Sequence, residues 1–273
     1  MSTTLMENLR QTAERVRRAT VQVEGHGGGG GAGVVWHADG LIVTNAHVAR
    51  RSTGRIRLSD GRVVTVSVAA RDPQIDLALL RSDGGDWAAA EKGDSDGLRP
   101  GQIILAVGSP YGHSGAVTAG IVHSAGSGRW IEADIRLAPG NSGGPLADAE
   151  GRVVGINTMV ARGLALAIPS RVVERFIARQ GRPARQLGIT VKPVNIPGFG
   201  LLILEVERGS PADHAGLKTG DIVVGAGGRP FQAPFDLALA LDTGATSFRL
   251  DLLRGGRPAS CDVSFEPAEA EVG

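Results

Sequence analysis

The spacing of apolar residues constrains this fold more than any other feature of the chain. They come in short runs, each closed by Gly, Asp, Ser or Pro. ATVQVEG, AGVVWHA, GLIVTNA, RIRLSD, RVVTVSVAA and DLALLRS come first; QIILAVG, AVTAGIVHS, RWIEADI, RVVGINTMV and LALAIP come after them. Half-buried strands produce such runs, and turn residues at this spacing predict an antiparallel barrel or sandwich. Glycine is frequent, at 41 of 273 residues, and aromatics make up 4%. That balance favours tight turns over a helix bundle.

The rest of the chain organises around these runs. Residues 5–18 read as a short helix with Leu5, Leu9, Ala13 and Val16 on one face. Without an aromatic anchor, this face is expected to dock on the protein rather than on a membrane. SRVVERFIARQG reads as a helix with Ser170 as N-cap, a Val172, Val173, Phe176 and Ile177 stripe, and Gly181 as C-cap. GRPARQ then breaks the pattern and marks a domain boundary. Beyond it QLGITV, GLLILEVER, DIVVGAGG, FRLDLLRG and SCDVSF read as strands, with short helices at AGL and PFDLALALD. The expected organisation is an N-terminal helical segment over 1–19, a first domain over 20–181 and a smaller α+β domain over 186–268.

Several function classes drop out. A net charge of +1 does not suit a protein built to hold a polyanion, and no basic stripe with interleaved aromatics suggests nucleic acid. No apolar run approaches the ~18 residues of a membrane span, so no transmembrane segment is expected. The single cysteine, Cys261, excludes an internal disulfide and reads as a small, half-buried strand residue. His26, His37, His113, His123 and His214 lack metal-type spacing, and Trp36, Trp87 and Trp130 read as packing. Neither metal nor cofactor is expected. GHGGGGGAG is a loop rather than a phosphate cradle, because no Lys–Ser/Thr and no helix come after it. The start lacks the apolar stretch of a signal peptide, which points to the cytoplasm unless the N-terminus was trimmed.

The strongest chemical signal is GNSGGPL, with Ser142 between glycines. Glycines let the backbone take a strained turn and a substrate approach closely. The amides of Gly140 and Ser142 are then candidates for an oxyanion hole. A serine hydroxyl needs a base, and His47 in TNAHV supplies one. Asp76 in PQIDLALL is placed to orient that imidazole. A glycine-flanked serine alone marks only a turn, and a lone His or Asp is usually structural. The order His, Asp, Ser in a β-rich domain is what discriminates. An α/β-hydrolase elbow would need Asp and then His after the serine, and the only later histidine lies in the second domain.

These blocks, with LRPGQIILAVGSPYG, VTAGIV and APGNSGGPLADAEGRVVGINT, resemble the HtrA/Deg family of trypsin-like serine proteases. The downstream QLGITV…GSPADHAGLKTGDIVVGAGGRPF is similar to the PDZ domain of that family. The resemblance covers roughly residues 20–267. It implies a mainly β fold: a chymotrypsin-type double β-barrel protease domain followed by a smaller α+β PDZ domain. It further implies His47 as base, Asp76 as orienting acid and Ser142 as nucleophile. It also implies ATP-independent cleavage of unfolded or damaged polypeptides, often by a homotrimer.

The glycine loop and the GIVHSA–IEADI segment are shorter than the family's. Arg136 stands where trypsin-like folds line the primary specificity pocket, and Leu164, Ala165 and Leu166 form its second lining segment. The apolar segment favours cleavage after Val, Ala or similar residues; Arg136, if it points inward, would favour acidic ones. Leu187, Gly188 and Ile189 match the PDZ loop that binds a peptide C-terminal carboxylate on consecutive amides while the peptide adds as a strand. Two other readings remain open: a latent or inactive chaperone or scaffold that binds polypeptide ends, and a small-ester hydrolase on the same barrels.

Overall fold

A computed structural model describes residues 3–25, 30–82, 85–125, 130–181, 186–232, 236–241 and 245–265. The chain divides into two compact units, Met1–Arg182 and Pro183–Gly273. His26, most of the glycine loop, the RPAR part of the expected boundary and the last residues of the expected second domain lie outside the described residues.

The first unit opens with α1 (Thr3–Arg18). Val16 and Thr12 are buried among its described side chains, and Val16 packs with Val107 and Ala147. The helix therefore docks on the protein itself, one position off the expected stripe at Thr12. The side chain of Leu5 lies outside the described part.

Strands β1 (Thr20–Glu24), β2 (Gly30–His37), β3 (Leu41–Thr44), β4 (Thr53–Arg57), β5 (Val63–Asp72) and β6 (Leu77–Arg81) close a barrel in the order β1-β2-β3-β6-β5-β4. Val21, Val35, Ile42, Ile56 and Leu80 fill it. A second closed barrel, β10-β11-β12-β9-β8-β7, is built from β7 (Ile103–Gly108), β8 (Ala116–Ser124), β9 (Ile131–Asp134), β10 (Pro145–Asp148), β11 (Val153–Ala161) and β12 (Leu164–Pro169). Ile104, Ile131, Leu146 and Val154 fill that one. Closure leaves neither sheet with a free edge. The fold is thus the expected double β-barrel.

Helix α2 (Ser170–Ala178) buries Val172, Val173 and Phe176, with Ile177 half-buried. Its cap differs from expectation. Pro169 is the N-cap, and the Ser170 hydroxyl donates to the Gly93 carbonyl at 2.8 Å. At the other end Gln180 takes the left-handed position, φ 54°, and the Gly181 amide reaches back to the Phe176 carbonyl. This is the two-bond C-terminal motif in which Gly181 stands one residue beyond the left-handed one. Trp36, Trp87 and Trp130 are buried packing residues, as expected, and Trp36 Nε1 also donates to Glu174 Oε1 at 3.0 Å.

The second unit holds β13 (Ile189–Ile196), β14 (Gly198–Val206), α3 (Pro211–His214), β15 (Ile222–Ala226), β16 (Arg229–Pro230), α4 (Asp236–Leu241), β17 (Ser247–Arg254) and β18 (Arg257–Ser264). Its sheet runs β13-β14-β15-β17-β18, with β16 on β15. Helix α3 sits on PADH rather than on AGL, because Ser210 Oγ accepts from the Asp213 amide and caps it there. Asp221, at the foot of β15, receives two bonds from the Arg254 guanidinium, at 2.9 and 2.6 Å. That fork holds the Asp221 carboxyl below the usual carboxylate range. Cys261 is free and half-buried, and burial pushes its thiol up.

Candidate active site

His47, Asp76 and Ser142 come from three loops at the junction of the two barrels. His47 lies in the turn after β3, where the amides of Val48 and Ala49 both return to the Asn45 carbonyl. Asp76 immediately precedes β6 with a left-handed backbone, φ 55°. Such a conformation is costly for most residues and is least so for Asp and Asn. Asn45, fully buried, braces it by donating Nδ2 to the Asp76 carbonyl at 2.9 Å.

The Asp76 carboxylate is 1% exposed and fully engaged. It accepts from the His47 amide at 3.0 Å, from His47 Nδ1 at 2.8 and 3.0 Å, and from Thr158 Oγ1 at 2.6 Å. An imidazole nitrogen facing a carboxylate carries the proton, so Nε2 is left as the acceptor on the 43%-exposed ring. These contacts fix the imidazole against a buried carboxylate, the pairing that a base and its orienting acid would need.

Ser142 precedes β10. Its carbonyl accepts from the Ala32 amide at 2.8 Å, which ties the serine loop to the first barrel. Its hydroxyl donates to the Thr158 carbonyl at 2.9 Å rather than to His47. The nucleophile–base contact is therefore not made in this structure, although both residues line one cleft of about 510 Å³.

Around Ser142 the amides of Asn141, Gly143 and Gly144 are taken up by carbonyls of the protein. Those of Gly140 and Ser142 have no acceptor among the described residues. Gly140 is held at φ 107°, and a Cβ there would stand 2.2 Å from the Ser109 carbonyl oxygen. A side chain does not fit at that position, and the amides of Gly140 and Ser142, on either side of Asn141, are candidates for an oxyanion hole.

Nothing in the sequence singles out Thr158, yet it holds Asp76 through its hydroxyl and Ser142 through its carbonyl. It sits where the β11–β12 register shifts between Asn157 and Met159. A bulge re-aims a side chain in this way. No local signal marks it, since strand threonines are common. Arg71 escapes sequence reasoning for the same reason; its Nε donates to the Ala46 carbonyl at 2.8 Å, next to the base.

The four expected specificity residues do not line this cleft. Arg136 is exposed and makes no ion pair among the described residues, because Ile135 takes the inward position beside it. Ala165 fills the second barrel, Leu166 is buried and Leu164 is half-buried. In the second unit, Leu187 is buried and its carbonyl accepts from the Ala212 amide. Gly188 has φ 75°, and a Cβ there would meet the Ser210 Cβ at 2.3 Å. Its carbonyl accepts from the Glu207 amide, and the amides of Leu187 and Gly188 have no acceptor among the described residues. Ile189 opens β13, an edge strand that among the described residues pairs only with β14.

Known proteins are similar to this chain in sequence and in fold. The family model for a trypsin-like peptidase domain matches residues 31–156, and that for a PDZ domain matches residues 202–254. A DegP-like periplasmic serine endoprotease of Marinomonas sp. (strain MWYL1) is 35% identical over 265 residues, covering 86% of this chain and 56% of the relative. The serine protease HhoB of Synechocystis sp. (strain ATCC 27184 / PCC 6803 / Kazusa) is 32% identical over 283 residues, covering 90% and 68%. The chain spans about half the length of most curated relatives it matches. Among solved structures, the serine endoprotease from Yersinia pestis superposes with TM-score 0.66 at 27% identity, covering 94% of this chain and 96% of that one. The HtrA-type protease AlgW, solved with a decapeptide, superposes at 0.64 with 25% identity, covering 94% and 97%.

Proposed function

The chain belongs to the HtrA/Deg family of trypsin-like, PDZ-bearing serine proteases, and from that membership we propose that it is an ATP-independent endopeptidase acting on unfolded or damaged polypeptides. The observation that carries this reading is the buried Asp76 carboxylate bonded to His47 Nδ1 at 2.8 Å, with Ser142 in the same cleft. Residues 20–181 form the catalytic domain and 186–268 the peptide-binding one. Relatives named as periplasmic support a place outside the cytoplasm.

In the proposed reaction the Ser142 hydroxyl leaves the Thr158 carbonyl and turns to His47. Nε2 takes its proton as Oγ bonds to the scissile carbonyl carbon. The displaced π pair moves onto oxygen, where the Gly140 and Ser142 amides receive it. The C–N bond then breaks, and His47 returns the proton to the leaving amine. Water repeats the sequence on the ester and restores the Ser142 hydroxyl. Asp76 stays ionised throughout and stabilises the imidazolium.

Cleavage falls after Val, Ala or similar residues. Support comes from Arg136, which is exposed and so brings no inward charge, and from Leu164, the one residue of the 164–166 segment that is not fully buried. Wild type incubated with unfolded casein and no ATP cuts it, and Ser142→Ala does not. Fragment ends read by mass spectrometry are mostly small aliphatic residues. Ends at Asp or Glu would assign the pocket to Arg136. Binding without cutting by either protein would favour the scaffold reading.

The PDZ domain takes peptide C-termini, the carboxylate resting on the free amides at Leu187 and Gly188 and the peptide adding to the open edge of β13. A free C-terminal peptide is expected to bind, and its C-terminally amidated form to bind at least tenfold more weakly. Equal binding of the two would remove the carboxylate from the recognition.

A further inference from the structure

The cleft beside Ser142 has an end that the proposed reaction leaves unused. Its floor is the mouth of the first barrel, apolar at Val23, Val66 and Leu80. Its rim carries Arg50 and Arg51, which stand shortly after His47 in the chain. Arg50 Nε donates to the His47 carbonyl at 2.8 Å, which holds that guanidinium beside the base. Arg51 is exposed and has neither ion pair nor hydrogen bond among the described residues. The one carboxylate among the described lining residues, Glu24, is already shared between Arg55 at 2.7 Å and Arg57 at 3.2 Å. Among the described lining residues, Arg50 and Arg51 carry no carboxylate partner and the carboxylate beside them is already taken up, in a chain whose net charge is only +1. The positive field is therefore local to this end of the cleft.

The side of the scissile bond is fixed by the direction of proton transfer. His47 gives its proton to the leaving amine, so the leaving half of a substrate passes over His47 and the segment after it. The cleft includes His47 through Arg51 and Gly140, and no residue of β11 or β12, where the Ser142 hydroxyl now rests. We infer that this end selects substrates by the residues on the leaving side of the scissile bond, favouring acidic side chains in the first few positions, with Arg51 as the selecting residue and Arg50 as its support. The inference rests on the protease reading.

The test uses two internally quenched peptides with the same acyl half. One carries Asp-Asp and the other Lys-Lys at the second and third positions beyond the bond. Exposed ion pairs are individually worth a few-fold, so two arginines set against opposite charges give a wild-type kcat/KM ratio of about ten at low salt. The ratio falls toward one near molar salt, where screening reaches contact distance. Arg51→Glu removes or reverses it, Arg51→Lys keeps most of it, and an unchanged thermal midpoint shows both variants folded. Binding of the same peptides to Ser142→Ala, read by fluorescence anisotropy, reports the ratio without turnover. Cleavage with no acidic preference, or a preference that survives Arg51→Glu, overturns the inference and leaves the protease reading standing. A binding ratio that depends on Arg51, with no cleavage by wild type, supports the cationic site and overturns the protease reading.

Discussion

Asp76→Asn is expected to lower kcat/KM about 10⁴-fold, the loss associated with a wrong imidazole tautomer in this type of triad. Asp76 accepts from His47 Nδ1, from the His47 amide and from Thr158 Oγ1. An amide keeps one acceptor oxygen and presents an NH2 group where the second oxygen stood. With that NH2 facing Nδ1, the ring must hold its proton on Nε2, and Nε2 can no longer take one from Ser142. Asparagine suits the test because it tolerates the left-handed backbone at φ 55° nearly as well as aspartate. The fold should survive, and KM should move little. Retention of more than about a tenth of wild-type kcat/KM would remove Asp76 from the orienting role.

Gly143→Ala is expected to cost several kcal/mol of stability, about 3 or more, through two independent penalties. The position has φ 84°, which disfavours any side chain. An added Cβ would also stand 2.2 Å from the Ala32 carbonyl oxygen and 2.3 Å from Thr44 Oγ1. Neither can yield easily, because Thr44 Oγ1 already donates to the Ala32 carbonyl at 2.7 Å and the Ala32 amide holds the Ser142 carbonyl at 2.8 Å. The substitution therefore pushes the serine loop off the first barrel, and activity is lost with stability. Gly163→Ala separates the two penalties: its φ is 80°, but nothing lies within 4 Å of the added carbon. Only the conformational cost of about 1–2 kcal/mol remains there. Thermal unfolding of both variants reads the difference, and equal midpoints would dismiss the contact with the first barrel as the cause.

The residues behind these two substitutions are visible at different levels. His47, Asp76 and Ser142 are legible in the sequence because each lies in a short, distinctive block and because their order excludes the α/β-hydrolase alternative. Gly143 is legible only as part of GNSGGP. Its role depends on Ala32 and Thr44, distant in the chain and in the other barrel. Thr158 and Arg71 are not legible at all, since a threonine or arginine in a strand carries no mark of what it faces.

Strand positions are a local matter. Runs such as GLIVTNA and QIILAVG alternate or bury both faces over a few residues, and flanking Gly, Asp and Pro end them, so spacing alone predicts where they lie. Helix ends are less secure, because capping is a contest between neighbouring groups. Ser170 turns from capping its own helix to the Gly93 carbonyl, and Ser210 draws α3 forward onto PADH. The β architecture, the two-unit organisation and the three residues of the candidate triad could all be read from the residues alone, since periodicity and motif chemistry act over short stretches of chain. The outward turn of Arg136, the rest position of Ser142 on the Thr158 carbonyl, and the placing of Arg50 and Arg51 on the rim of the cleft could not. Those outcomes depend on which way a side chain turns once two barrels meet, and contacts between residues far apart in the chain set that choice.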